Sequence, residues 1–117
     1  MEDKLISFET AKLAKEKEFK YILDYQIYYN SIGYLNRLQH SEEDIPAPTQ
    51  SLLQKWLREI HNIHIDIRTN TISGGCYFFY LSQTRAPFYT LFISVKDSDT
   101  YEEALEYALK ESLKLIK

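Results

Sequence analysis

Several side chains in this chain are of types that do chemistry, and their spacing decides what each is able to do. His61 and His64 stand three apart, the spacing at which two imidazoles on one helical turn reach a common zinc ion. No cysteine or third histidine is near them in sequence, however, and His64 falls where a strand pattern has already begun. Cys76 is the single cysteine, and nothing near it supplies the histidine or positive helix end that would make it a nucleophilic thiolate. Ser73, Gly74 and Gly75 could turn backbone N–H groups toward a phosphate. A phosphate loop also needs a following helix and a lysine, so the triplet reads as a hairpin turn. The carboxylate pairs Glu42 with Glu43 and Glu102 with Glu103 read as a solvated loop and as an acidic helix start that complements the dipole. These spacings define no catalytic residue, no metal ligand set and no cofactor site, so an enzyme is not expected.

The elements that position these residues are clearest from Pro46 to Ile72. Leu53, Trp56, Leu57 and Ile60 recur at helical spacing, after which Ile63, Ile65 and Ile67 alternate with His64, Asp66 and Arg68. Thr49 is the expected N-cap of this helix. Upstream, Ser7 should cap a first helix from Phe8 to about Glu18, with Phe8, Ala11 and Ala14 as its apolar stripe. Residues 21–29 alternate as a strand and should pair with a weaker strand over Tyr34 to Gln39. The acidic, proline-rich segment His40 to Thr49 reads as a long loop. After the isoleucine strand, Cys76 to Ser82 reads as a second strand. A third carries Tyr89, Leu91, Ile93 and Val95 on one face. Thr100 and Glu103 form a T-x-x-E capping box for a closing helix with Ala104, Leu105, Ala108, Leu109, Leu113 and Ile116 inward.

The expected order is therefore αββαβββα in one domain spanning residues 1–117. Short connections make the strands antiparallel, which predicts an α+β two-layer sandwich with about five strands and three helices. If the helices cover one face of the sheet, the other face carries the functional surface. With Ile63, Ile65, Ile67, Tyr77, Phe79, Leu81, Tyr89, Leu91, Ile93 and Val95 inward, the outward residues include His64, Asp66, Arg68, Phe78, Tyr80, Phe92 and Lys96. Aromatic rings among cations suit a protein partner or stacked bases, with His64, Arg68, Phe78, Tyr80, Phe92 and Lys96 as the contact set. Coverage of these rings by a loop or by the first hairpin is the competing structural explanation.

A second candidate surface is a basic edge of Lys12, Lys15, Lys17 and Lys20 with Lys55 and Arg58. Glu16, Glu18 and Glu59 share the same segments, which favours ordinary solvated helix faces. The formal net charge of −3 argues against broad coating of nucleic acid. A hydrophobic fraction of 44% with 26% charged residues is that of a folded globular chain. The ten tyrosines supply contact area with polar tips, although genomic base composition can produce the same surplus. A single cysteine fits a reducing compartment, and neither a signal sequence nor a long apolar run is present, so a cytoplasmic protein is expected.

Three blocks, SFETAKLAKEKEF (Ser7 to Phe19), APTQSLLQKWLREIHNIHI (Ala47 to Ile65) and TYEEALEYALKESLKLI (Thr100 to Ile116), resemble in sequence and order a family of small, mostly uncharacterised proteins encoded by phages and prophages. They cover about two fifths of the chain, and SLLQKWLRE followed by a short isoleucine strand is the most specific part. Where the family often has glycine after the AKEK run, this chain has Glu18, which would leave the first helix without its usual stop. The resemblance implies an accessory protein of a mobile element acting inside a bacterial cell. By that implication the leading expectation is a non-enzymatic inhibitor of a host defence system, of the anti-CRISPR type. It would bind an RNA-guided nuclease, its ribonucleoprotein or its guide-RNA site. Alternatives are a single-stranded nucleic-acid-binding accessory protein and a nucleotide-signal sponge, the last requiring a deep tyrosine-lined pocket.

Overall fold

A computed structural model describes residues 4–19, 27–36, 43–70, 76–84, 90–94 and 97–116. Lys20, residues 21–26 of the expected first strand, Glu42, the Ser73 to Gly75 turn, Phe88, Tyr89, Val95 and Lys96 lie outside the described residues. The elements in chain order are α1 (Phe8–Glu16), β1 (Tyr28–Tyr29), β2 (Leu35–Asn36), β3 (Ile45–Pro46), α2 (Gln50–Ile60), β4 (Ile63–Asn70), β5 (Cys76–Gln83), β6 (Thr90–Ile93) and α3 (Tyr101–Leu115). The fold is α+β, with three helices as expected. The described strands divide between two antiparallel three-stranded sheets, ordered β2-β1-β3 and β4-β5-β6.

The extra strand is β3, inside the segment that sequence reads as a loop. Its formation is local: Tyr29 pairs with Ile45 and Tyr28 with Pro46, and Ala47 N–H donates to Ile27 C=O at 2.8 Å. Proline cannot donate to a ladder, so Pro46 marks this strand as an edge. The β1–β2 turn is organised by Asn30, whose side-chain oxygen accepts from the N–H groups of Ile32 at 3.0 Å and Tyr34 at 2.9 Å. Gly33 in that turn has φ +93°, and a Cβ there would stand 3.3 Å from the Phe8 ring. The positive φ favours glycine, and any Cβ would also press the Phe8 ring by a few tenths of an ångström.

All three expected N-caps are observed. Ser7, Thr49 and Thr100 accept from the N–H of Thr10, Leu52 and Glu103 at 3.2, 3.2 and 3.1 Å. Helix α3 is the hub. It packs against α1, α2, β4 and β5, and Ala104, Leu105, Ala108, Leu109 and Leu113 are buried along it. Helix α2 contributes Leu53 and Leu57, both fully buried, to the same core as Ile63, Ile65, Phe79 and Leu81. Its expected fourth contact fails, because Ile60 is 59% exposed at the last turn. Trp56 is half-buried rather than central, edge-on to Phe19 at 5.2 Å and to His61 at 4.6 Å. Its width bridges α2 to the chain just after α1.

The first helix stops cleanly in spite of having no glycine. Glu18 adopts φ +68°, and Phe19 N–H returns to Ala14 C=O at 2.9 Å while Glu18 N–H reaches Lys15 C=O at 3.0 Å. A left-handed residue followed by a buried apolar side chain, here Phe19 at 4% exposure, is a Schellman-type end. The expectation that Glu18 leaves α1 unstopped is thus corrected: burial of Phe19 holds a non-glycine residue in a conformation that disfavours a Cβ. Glu18→Gly should raise unfolding free energy by about 1 kcal/mol, read as a higher urea midpoint with unchanged slope. An unchanged or lower midpoint would show that Glu18 carries no strain.

Candidate functional site

The β4–β5 ladder fixes which side chains share a face. Ile63, Ile65 and Ile67 stand opposite Gln83, Leu81 and Phe79, and His64, Asp66 and Arg68 stand opposite Ser82, Tyr80 and Phe78. Phe79 and Leu81 are buried, so the first group is inward and the second forms the outer face, as the alternation predicts. On that face the Arg68 guanidinium donates to Asp66 Oδ2 from Nε at 3.0 Å and from Nη2 at 2.9 Å. Its Cζ also lies 5.0 Å from the centroid of the Tyr80 ring. Phe78 stands edge-on to Tyr80 with centroids 5.3 Å apart. The Arg68 side chain retains 59% exposure. The result is a cation held between a carboxylate and an aromatic pair, with its outer edge facing solvent.

The third strand departs from the expected register. Leu81 pairs with Phe92 and Tyr80 with Ile93, and the ladder is irregular between Leu81 and Ser82. One irregularity reverses every later side chain on a strand with period two. Phe92 therefore lies on the inner face, its ring stacked 5.8 Å from Phe79 at 18°, and it does not join Phe78 and Tyr80. Ile93 takes the outer position beside Tyr80 and is 52% exposed. The candidate face thus comprises His64, Asp66, Arg68, Phe78, Tyr80 and Ile93. Alternation alone could not show the change in phase that exchanges Phe92 for Ile93.

The expected basic edge is not assembled as a free patch. Lys15 Nζ donates to Asp44 C=O at 3.3 Å and Lys17 Nζ to Ile116 C=O at 2.7 Å, while Lys12 Nζ sits 4.9 Å over the Phe8 ring. Lys55 and Arg58 are exposed on α2. His61 and His64 do not converge, since His61 packs on Trp56 and His64 lies on the outer face of β4. Among the described residues no group of three His, Cys, Asp or Glu side chains is placed to hold a metal. His64, Ser82 and Asp66 share the outer face, but the Asp66 carboxylate is bonded to Arg68 rather than orienting the imidazole, so the arrangement lacks the relay of a hydrolytic triad.

One polar cluster among the described residues is not singled out by sequence patterning. Glu106 of α3 accepts from Ser7 backbone N–H at 3.1 Å and from the Thr10 hydroxyl through Oε2, and from Gln50 Nε2 at 3.1 Å through Oε1. Gln50 Nε2 also donates to Glu102 C=O at 3.1 Å. Thr10 is fully buried and Gln50 is 2% exposed, while Ser7 and Glu106 are half-buried, and every bond of the cluster joins one helix to another or to its cap, which is a structural role. In a capping box the N-cap N–H is satisfied by a glutamate three residues on. Here that position is Thr10, and Glu106 of another helix completes the cap from outside. Nearby, Tyr29 donates to Ile6 C=O at 2.7 Å; burial first, and then the Glu106 charge, push its phenol above its usual range.

Glu106→Ala removes the acceptor that the Ser7, Thr10 and Gln50 donors share, leaving Gln50 only its bond to Glu102 C=O, and should cost about 2–4 kcal/mol, measured by urea unfolding. A loss under about 1 kcal/mol would remove Glu106 from this structural role. Burial holds His61 below its ordinary value of 6.5, so the folded state favours the neutral ring. The sign follows: this contribution is present above pH 6.5 and is lost as pH falls through that value toward the folded-state one. Trp56 is the only tryptophan and touches this ring, so its fluorescence should titrate below pH 6.5, and His61→Gln should abolish the titration. Persistence of the titration in that variant would assign it to another group.

In comparison with known proteins, no protein-family model, no curated protein and no solved structure matches this chain.

Proposed function

We propose that this chain is a non-enzymatic binding protein that presents the outer face of the β4-β5-β6 sheet to a protein partner. The observation that carries the reading is the Arg68 cluster: a guanidinium held by Asp66 over Tyr80, with Phe78 and the exposed Ile93 alongside. Arginine and tyrosine are residue types that dominate binding energy at protein interfaces, and here they are held together before contact. In this reading the helices back the sheet as one layer of a two-layer sandwich, leaving its other face open. The resemblance of its three helical blocks to phage and prophage proteins directs the choice of partner. The proposed role is inhibition of a host defence system in the bacterial cytoplasm, by occupying an RNA-guided nuclease or its ribonucleoprotein.

Single-stranded nucleic acid is the less favoured occupant. Phe92, one of the three rings proposed for stacking, faces Phe79 on the inner side, and Asp66 places a carboxylate against the cation that would meet a phosphate. The inhibitor reading is tested with purified RNA-guided nucleases, assayed for capture by the tagged chain and for loss of DNA cleavage. Tyr80→Ala and Arg68→Ala should each weaken capture by at least about tenfold, whereas Lys55→Ala with Arg58→Ala should leave it intact. Capture of none of the nucleases, or capture indifferent to Tyr80 and Arg68, overturns this reading. Salt-sensitive binding of labelled oligonucleotides at low ionic strength would replace it with the nucleic-acid one.

A further inference from the structure

The turn between β1 and β2 carries the two most exposed large apolar side chains of the described residues, Ile32 at 71% and Tyr34 at 69%, followed by Leu35 at 50%. Three such residues within four positions make a contiguous apolar tip, whereas apolar side chains exposed singly are ordinary. The tip stands on a firm base. Tyr29 packs against Phe8 with ring centroids 5.3 Å apart, and its hydroxyl donates to Ile6 C=O. The Gly33 backbone runs close enough to the same Phe8 ring that a Cβ would meet it.

The backbone of this tip is prepared for removal from water. Asn30 Oδ1 accepts from the N–H groups of Ile32 and Tyr34, Gly33 N–H donates to Asn30 C=O at 3.1 Å, and Asn30 N–H donates to Tyr34 C=O at 2.8 Å. In water these donors need no internal acceptor. In lipid an unpaired N–H is costly, because nothing around it accepts. A protein pocket can supply acceptors of its own, so internal pairing at an exposed tip favours lipid as the occupant. Tyr34 suits the same place, since its ring and hydroxyl match the boundary between acyl chains and headgroups. Ser31 is exposed at the corner of the turn, which keeps the insertion shallow. Lys12 stands beside the turn with its Nζ 4.9 Å from the centre of the Phe8 ring, where an ammonium can meet an anionic headgroup. Glu16 lies one turn further along α1 and offsets part of that charge, so the apolar side chains carry most of the binding.

We propose that the β1–β2 tip is a membrane-surface finger, in which Ile32, Tyr34 and Leu35 enter the interfacial layer of a bilayer and Lys12 meets its anionic headgroups. The contact is peripheral and reversible. It is independent of the nuclease reading, because it concerns the purified chain and lipid alone.

Co-sedimentation of the purified chain with vesicles of phosphatidylcholine and phosphatidylglycerol tests it. Half of the chain should pellet at about 1 mM lipid, a weaker association than one myristoyl chain provides. Ile32→Ser combined with Leu35→Ser should raise that lipid concentration at least about tenfold, and the variant should keep the circular dichroism of the parent. Ile60→Ser removes another exposed apolar side chain, at the end of α2, and should leave binding unchanged. Asn30→Ala keeps the three apolar side chains but frees the N–H groups of Ile32 and Tyr34, and should weaken binding by about fivefold or more. Lys12→Gln should weaken it about threefold when phosphatidylglycerol is present. A parent chain that stays in the supernatant at about 5 mM lipid overturns the proposal. So does a double variant, an Asn30→Ala variant or a Lys12→Gln variant that pellets as the parent does, or an Ile60→Ser variant that loses as much as the double variant. If the parent ignores vesicles while the double variant loses nuclease capture, the tip belongs to a protein interface and the proposal falls. If Asn30→Ala does not fold, the double variant set against Ile60→Ser decides.

Discussion

The structure depends on a carboxylate satisfying the start of a helix to which it does not belong. Glu106 gathers the Ser7 N–H, the Thr10 hydroxyl and the Gln50 amide at one point, and those donors sit at the N-termini of α1 and α2. The two helix starts are themselves side by side. Leu5 bridges Thr49, Ile6 N–H donates to Pro48 C=O at 3.0 Å and Gln50 N–H to Lys4 C=O at 2.7 Å. Both partial positive helix ends thus converge on one negative group, a favourable arrangement in a partly buried site. Because Thr10 and Gln50 cannot reach water, their orientation relative to α3 is specified as well as stabilised. The sheet β4-β5-β6 then rests on the helices that this contact has placed.

The local vocabulary of the chain was legible in its residues. Three N-caps, the helical spacing of Leu53 and Leu57, and the alternation through Ile63, Ile65 and Ile67 each follow from interactions within a few residues. The misses have different origins. Strand β3 forms at Ile45 and Pro46, where proline and acidic neighbours mask a short pairing with β1. The α1 stop lacks the glycine that sequence rules look for, because burial of Phe19 compensates for the Cβ of Glu18. The exchange of Phe92 for Ile93 arises from an irregularity in the ladder, and no residue type announces it.

The candidate face shows the same division. His64, Arg68, Phe78 and Tyr80 were legible because they lie on the two strands whose alternation runs unbroken, and Asp66 came with them as an outward residue. Its bond to Arg68 was not legible, although it determines where the guanidinium lies over Tyr80. Glu106 was invisible for a deeper reason. Its partners, Ser7, Thr10 and Gln50, are distant in sequence, and a carboxylate on a helix rich in acids carries no mark of burial. Patterning methods register contacts that recur, and this contact occurs once.

The contacts of α1 with the C-terminal helix also impose an order of events. Ser7 meets Glu106 across 99 positions, Glu9 meets Lys110 across 101, and Lys17 reaches the carbonyl of Ile116 across 99. Closing a loop of that length costs about 4 kcal/mol of chain entropy before any contact forms. Helix α1 has only nine residues, too few to persist alone in water. During synthesis its residues therefore wait, unstructured, until α3 has been made. Long-range closure of this kind slows folding relative to a chain whose contacts are local. Docking of the first helix on the last is then a late step, and the two ends of the described chain become a single cooperative unit.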